Sequence, residues 1–103
     1  HENSSAASDV YKRQAYVSAR KRKGFGPKKI AFELTSKGID ESVSRNVIIE
    51  EGDWESAAKL AFSKKFKDGP SLDTNEKLKQ KSFLQNRGFR FKEIESVFAN
   101  DML

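Results

Sequence analysis

Three observations predict an all-α chain made of tandem three-helix repeats, about two repeats and six short helices. Apolar residues recur at helical spacing from about Ala15 onward, and no alternating run of comparable strength signals a strand. Glycine, proline and aspartate punctuate these runs where helices start and stop. The sequence also resembles itself when displaced by 50 positions: Leu34 falls on Leu84, Lys37 on Arg87, Gly38 on Gly88, Ile39 on Phe89, Val47 on Val97 and Ile48 on Phe98. A repeat is expected where one unit is too small to bury its own apolar face.

The first fourteen residues, HENSSAASDVYKRQ, show no sustained apolar period and are expected to be a disordered or non-native leader. Residues 15–51 then form one three-helix repeat and residues 52–103 the other. The first helix covers Ala15 to Lys23 and closes at Gly24, with a cationic last turn that suits the negative end of its dipole. Pro27 starts the second helix with Gly26 as its N-cap, because proline lacks the N–H that would be unpaired there. That helix carries Ile30, Ala31 and Leu34 and stops at Gly38, with Ile39 packing back on it. Asp40 caps the third helix, whose buried face is Val43, Val47 and Ile48.

The second repeat restarts at Asp53, expected to cap a helix bearing Trp54, Ala57, Ala58, Ala61, Phe62 and Phe66. The segment from Asp68 to Asp73 is a turn, and Asp73 or Thr74 caps a fifth helix that runs to about Arg87 and ends at Gly88. The last helix starts near Phe91 and buries Phe91, Ile94, Val97 and Phe98. Arg90 stands where Ser or Asp would be a better cap, so its start is expected to be poorly defined.

Composition narrows the function. The chain has 103 residues, no cysteine and one histidine, at position 1, so neither a disulfide framework nor a zinc site is expected. The lack of cysteine suits a reducing, cytoplasmic setting, and no apolar run approaches the roughly 20 residues that span a bilayer. No nucleophile, general base or paired carboxylate sits in an apolar context, so no enzyme and no cofactor is expected. Glycines around Phe25 invite a phosphate-loop reading, but Gly24-Phe25-Gly26-Pro27 lacks the spacing and the preceding strand of such loops.

Charge is more informative. The net value is +5, yet from Val10 to Lys37 nine cations face one acid, Glu33. From Gly38 to Ala57 six acids face Arg45, and a second cluster of Lys59, Lys64, Lys65 and Lys67 follows. Segregation of this kind predicts basic patches that meet an anionic partner. Lys28 and Lys29 sit at a helix start, where cations oppose the dipole, a placement that hints at an outside use. Trp54 stands in line with small core positions and is read as a core or inter-repeat anchor rather than a base-stacking residue. Phe25 and Phe89, at helix junctions, stay unassigned.

The run AYVSARKRKGFGPKKIAFELTSKGI resembles the central motif of the RecX family of regulatory proteins, through Tyr16, Val17, Arg20, Lys23, Gly24, Gly26, Pro27, Ile30, Glu33, Leu34, Lys37, Gly38 and Ile39. Asp53-Trp54, the run Lys64 to Phe66, and the run Phe83 to Phe89 are similar to that family's third repeat, in the same order. The resemblance implies a non-enzymatic modulator that lies in the groove of the RecA filament on DNA and restrains strand exchange and ATP hydrolysis. It points to Arg20, Lys23, Lys28, Lys29, Lys64 and Lys65 as contacts with RecA or DNA, and the basic clusters add Lys21, Arg22 and Lys67 to the expected contacts. Family members usually carry three repeats, so this chain is expected to be an N-terminally truncated member. A stand-alone helical DNA-binding module is the alternative, and neither a membrane nor a small-molecule substrate is expected as a partner.

Overall fold

A computed structural model describes residues 2–99, with side chains from residue 12 onward. Six helices follow in order: α1 Glu2–Arg22, α2 Pro27–Ser36, α3 Glu41–Glu51, α4 Trp54–Lys65, α5 Thr74–Asn86 and α6 Phe91–Phe98. No strand occurs among the described residues. α1, α2 and α3 pack on one another, as do α4, α5 and α6, and the whole measures 57 × 20 × 18 Å.

The displacement by 50 positions reappears as repeated geometry. At the end of α2 the Ile39 N–H donates to Leu34 O at 3.1 Å, and Gly38 takes φ 91°. At the end of α5 the Phe89 N–H donates to Leu84 O at 3.1 Å, and Gly88 takes φ 97°. The end of α1 follows the same pattern, with Phe25 N–H to Arg20 O at 3.2 Å around Gly24 at φ 96°. A left-handed glycine followed by a large apolar residue closes each helix by satisfying carbonyls that would otherwise face no donor. Leu34 and Leu84, the carbonyls' owners in the first two cases, are both buried.

Asp40 and Asp73 cap α3 and α5 as expected, accepting from Ser42 N–H at 3.2 Å and Glu76 N–H at 3.0 Å. Five expectations differ. α1 begins at Glu2 rather than near Ala15, because residues 2–14 contain neither glycine nor proline to interrupt a helix propagating from the packed turns. Asp53 does not cap α4 with its side chain; it follows the tight turn at Gly52 and is itself left-handed, φ 58°. Phe66 is the C-cap of α4 rather than part of its body.

The other two concern α6. Its start at Arg90 is well defined because the Arg90 N–H donates to Glu93 Oε1 at 2.7 Å, and the Arg90 Nε donates to Glu93 Oε2 at 2.7 Å. The buried Glu93 thus satisfies an orphan N–H from within the helix. Phe91, expected on the buried stripe, is 78% exposed, since the inward face is taken by Glu93, Ile94, Val97 and Phe98.

Buried apolar side chains of both units form one continuous core, from Val17, Ile30, Leu34 and Ile48 to Trp54, Phe62, Leu84 and Phe89. Trp54 joins the units: its Nε1–H donates to the Ile48 carbonyl at 2.9 Å and its ring is buried. Truncating a side chain as enclosed as Leu34 or Leu84 to Ala costs about 2–5 kcal/mol.

Candidate functional site

The junction RKRKGFGPKK is held by backbone as much as by side chains. Gly26 N–H donates to Arg87 O at 2.7 Å, and Lys28 N–H donates to Gly88 O at 2.9 Å. The start of α2 is therefore docked on the closing turn of α5, and residues distant in sequence are brought together.

The docking decides where the cations stand. α1 ends in Arg20, Lys21 and Arg22, α4 ends in Lys64 and Lys65, and Arg87 is the C-cap of α5. Each of these helix ends carries partial negative charge, which stabilises a cation there by a few tenths of a kcal/mol. Lys23, Gly24, Ala61, Lys64, Lys65, Phe83 and Arg87 line a shared basin of about 190 Å³. Aromatic rings alternate with the cations. Lys29 Nζ lies 5.7 Å from the Phe25 centroid, the Arg87 guanidinium 5.0 Å from both Phe25 and Phe83, and Lys65 Nζ 5.9 Å from Phe83. Rings of this kind favour cations over their faces, so like charges are held close with less mutual cost.

Not every expected contact residue is available. Arg20 is committed inward: its Nη2 and Nε donate to Glu33 at 2.7 and 3.0 Å, while its guanidinium lies 4.0 Å over Phe25. Tyr16 Oη–H donates to the same carboxylate at 2.7 Å. Donation from Arg20, opposed by burial and assisted by Tyr16 and the nearby Lys29 charge, holds the Glu33 carboxyl below its usual range. Burial, and then the bond to Glu33, push the Tyr16 phenol up. Lys21 is committed as well, to Glu51 at 3.3 Å and to the Gly52 carbonyl at 2.8 Å.

Lys23, Lys64, Lys65 and Lys29 stay exposed at or beside the basin. Arg22 lines a separate cleft between α1 and α4 with Ser18, Glu51 and Leu60. Lys28 faces another hollow with Arg45 and Arg90, and Lys67 is exposed and lines none of the four hollows described for this surface. Sequence reasoning missed Arg87 and Phe83. Arg87 had a signal: it occupies the position of Lys37 in the repeat, immediately before the closing glycine.

Among the described residues no group of three or more His, Cys, Asp or Glu side chains is arranged to hold a metal ion. Among them, too, no helix is long and apolar enough to cross a membrane.

Tandem three-helix units with one continuous core and a cationic seam define a helical-repeat protein. Residues 14–48 match the family model of the second three-helix domain of RecX, and residues 51–98 match that of the third. The chain belongs to the RecX family.

It is similar to the regulatory protein RecX of Pectobacterium atrosepticum, 37% identical over 86 residues covering 82% of this chain and 53% of that one. The regulatory protein RecX of Legionella pneumophila strain Corby is 40% identical over 92 residues, 88% of this chain and 61% of that one. That of Serratia proteamaculans is 36% identical over 88 residues, covering 84% and 52%. The chain thus spans between half and three fifths of the length of these curated relatives.

Proposed function

We propose that this chain is a non-enzymatic regulator of the RecA recombinase, acting in the cytoplasm. It binds the RecA filament on DNA and restrains recombination and ATP hydrolysis, and so modulates DNA repair. One observation carries the reading: two consecutive RecX domains are joined so that Lys23, Lys64, Lys65 and Arg87 converge on one seam. An elongated body 57 Å long and about 20 Å across has the shape to lie along a groove, with the seam turned to acidic protein or to phosphate.

The test is RecA's DNA-dependent ATP hydrolysis with and without this chain. Inhibition is expected, and Lys64→Glu combined with Lys65→Glu is expected to weaken it. No inhibition, even by a longer version bearing a preceding three-helix unit, sinks the proposal.

The alternation of cations with Phe25 and Phe83 supports a second reading, a stand-alone DNA-binding module. It requires salt-dependent DNA affinity without RecA, lowered when Lys28 and Lys29 are neutralised. Negligible affinity at moderate salt removes it.

A further inference from the structure

A second hollow shares no lining residue with the cationic seam. Its floor is aliphatic, formed by Pro27, Ala31, Ile48 and Ile49, and its volume is about 260 Å³. Three cations stand around that floor: Lys28 from α2, Arg45 from α3 and Arg90 before α6. Lys28 and Arg45 are exposed and have no ion-pair partner among the described residues. The acid whose charge responds to Arg45, Asp40, is already engaged by the Ser42 N–H and hydroxyl. Arg90 is fixed by its bonds to Glu93.

We propose that this hollow docks an acidic protein segment carrying one large apolar anchor side chain. An aliphatic hollow of this size takes a leucine or phenylalanine side chain, and an anchor in a pocket is how most interfaces gain their energy. Ile49 is 71% exposed, so covering it gains apolar burial that the isolated chain forgoes. Unpartnered cations on the rim select carboxylates and exclude basic segments. A nucleic acid fits less well, because no aromatic ring lines the floor on which a base would stack.

The charge pattern of the segment also follows. Beyond Ile49 and Arg90 the hollow continues into a larger one of about 430 Å³, walled by Asp53, Glu55 and Lys92. Carboxylates are favoured at the Lys28 and Arg45 end and disfavoured near Asp53 and Glu55. The acidic residues therefore lie on one side of the anchor only.

The proposal is independent of the RecA reading, and its test contains neither RecA nor DNA. Binding of the full chain is followed by fluorescence anisotropy of two labelled ten-residue peptides. Each has three glutamates, one leucine and Gly/Ser elsewhere, with the glutamates before the leucine in one and after it in the other. One of the two is expected to bind, and both Arg45→Glu and replacement of the peptide's leucine by alanine are expected to weaken it about tenfold. Lys64→Glu with Lys65→Glu is expected to leave it within about twofold. Ile49→Asp, at an exposed position that does not threaten folding, provides a second variant and is expected to act like Arg45→Glu. Absence of binding by both peptides, indifference to the anchor, a larger loss in the Lys64/Lys65 variant, or tighter binding of a single-stranded oligonucleotide at the same hollow overturns the proposal.

Discussion

Gly26 and Gly88 meet backbone to backbone. A Cβ on Gly26 would come within 2.5 Å of the Gly88 carbonyl carbon and 2.6 Å of its oxygen, and a Cβ on Gly88 would come within 2.6 Å of the Lys29 nitrogen. Gly26 itself has φ −95°, which any residue adopts, so only the neighbour requires glycine there. Gly38, the repeat counterpart of Gly88, has open space around its missing Cβ and requires glycine only for φ 91°.

The three positions therefore separate two effects. Gly38→Ala is expected to cost about 1–2 kcal/mol of conformational strain, and Gly26→Ala about 1–3 kcal/mol of overpacking. Gly88→Ala carries both and should be the most damaging. Urea unfolding of the three variants checks the order, and a Gly88 variant as stable as the Gly38 variant would refute the backbone contact.

The carboxylate of Glu33 gathers Arg20 and Tyr16, and Glu33→Gln is expected to cost about 2 kcal/mol at neutral pH. Its carboxyl is held below the ordinary value of 4.5, so the folded chain binds that proton more weakly than the unfolded chain. The stabilisation is present above pH 4.5 and is lost as the pH falls through the lower folded value. In acid titrations followed by circular dichroism, the Gln variant should approach wild-type stability at low pH. A constant difference across the range would refute the linkage.

Much of the fold was legible because its signals are local. Asp40, Asp73, Pro27 and the Gly24, Gly38 and Gly88 turns act within a few residues of themselves, and one sequence suffices to read them. Asp53 misled for the same reason: it has the composition of a cap, but the turn at Gly52 sets its backbone first. The seam was only half legible. Both cationic clusters were visible as charge, whereas their joining depends on the Gly26–Arg87 contact across two units, which no local pattern carries. Nor does spacing reveal that Arg20 and Lys21 spend their charge on Glu33 and Glu51.

That last distinction predicts two classes of cation. Arg20→Ala and Lys21→Ala remove internal bonds and are expected to lower stability, the former by about 1.5–3 kcal/mol. Lys64→Ala and Lys65→Ala sit on an exposed helix end and should change stability by less than about 0.5 kcal/mol. If the seam meets a polyanion, the second pair should instead reduce affinity and flatten its salt dependence. Thermal unfolding alongside binding at two salt concentrations checks both; stability losses from the lysine variants equal to those from Arg20→Ala would contradict the assignment.

Glu93 makes the final prediction, because it shows how a carboxylate becomes part of a core. Its side chain is fully buried, one oxygen accepts the Arg90 N–H, and the other accepts the Arg90 guanidinium. Glu93→Ala leaves the N–H of Arg90, the residue that caps α6, without its acceptor and the guanidinium without its partner, at an expected cost of about 2–3 kcal/mol. Glu93→Gln keeps an oxygen for the N–H but loses the charge, so its cost should fall between wild type and the Ala variant. Arg90→Ala should cost about as much as Glu93→Ala if the buried charge dominates, since it leaves that carboxylate unpaired. If capping dominates, Arg90→Ala should cost far less, because the backbone N–H of residue 90 survives the substitution. The relative Tm values of these three variants decide between buried charge and helix capping as the reason the last helix starts where it does.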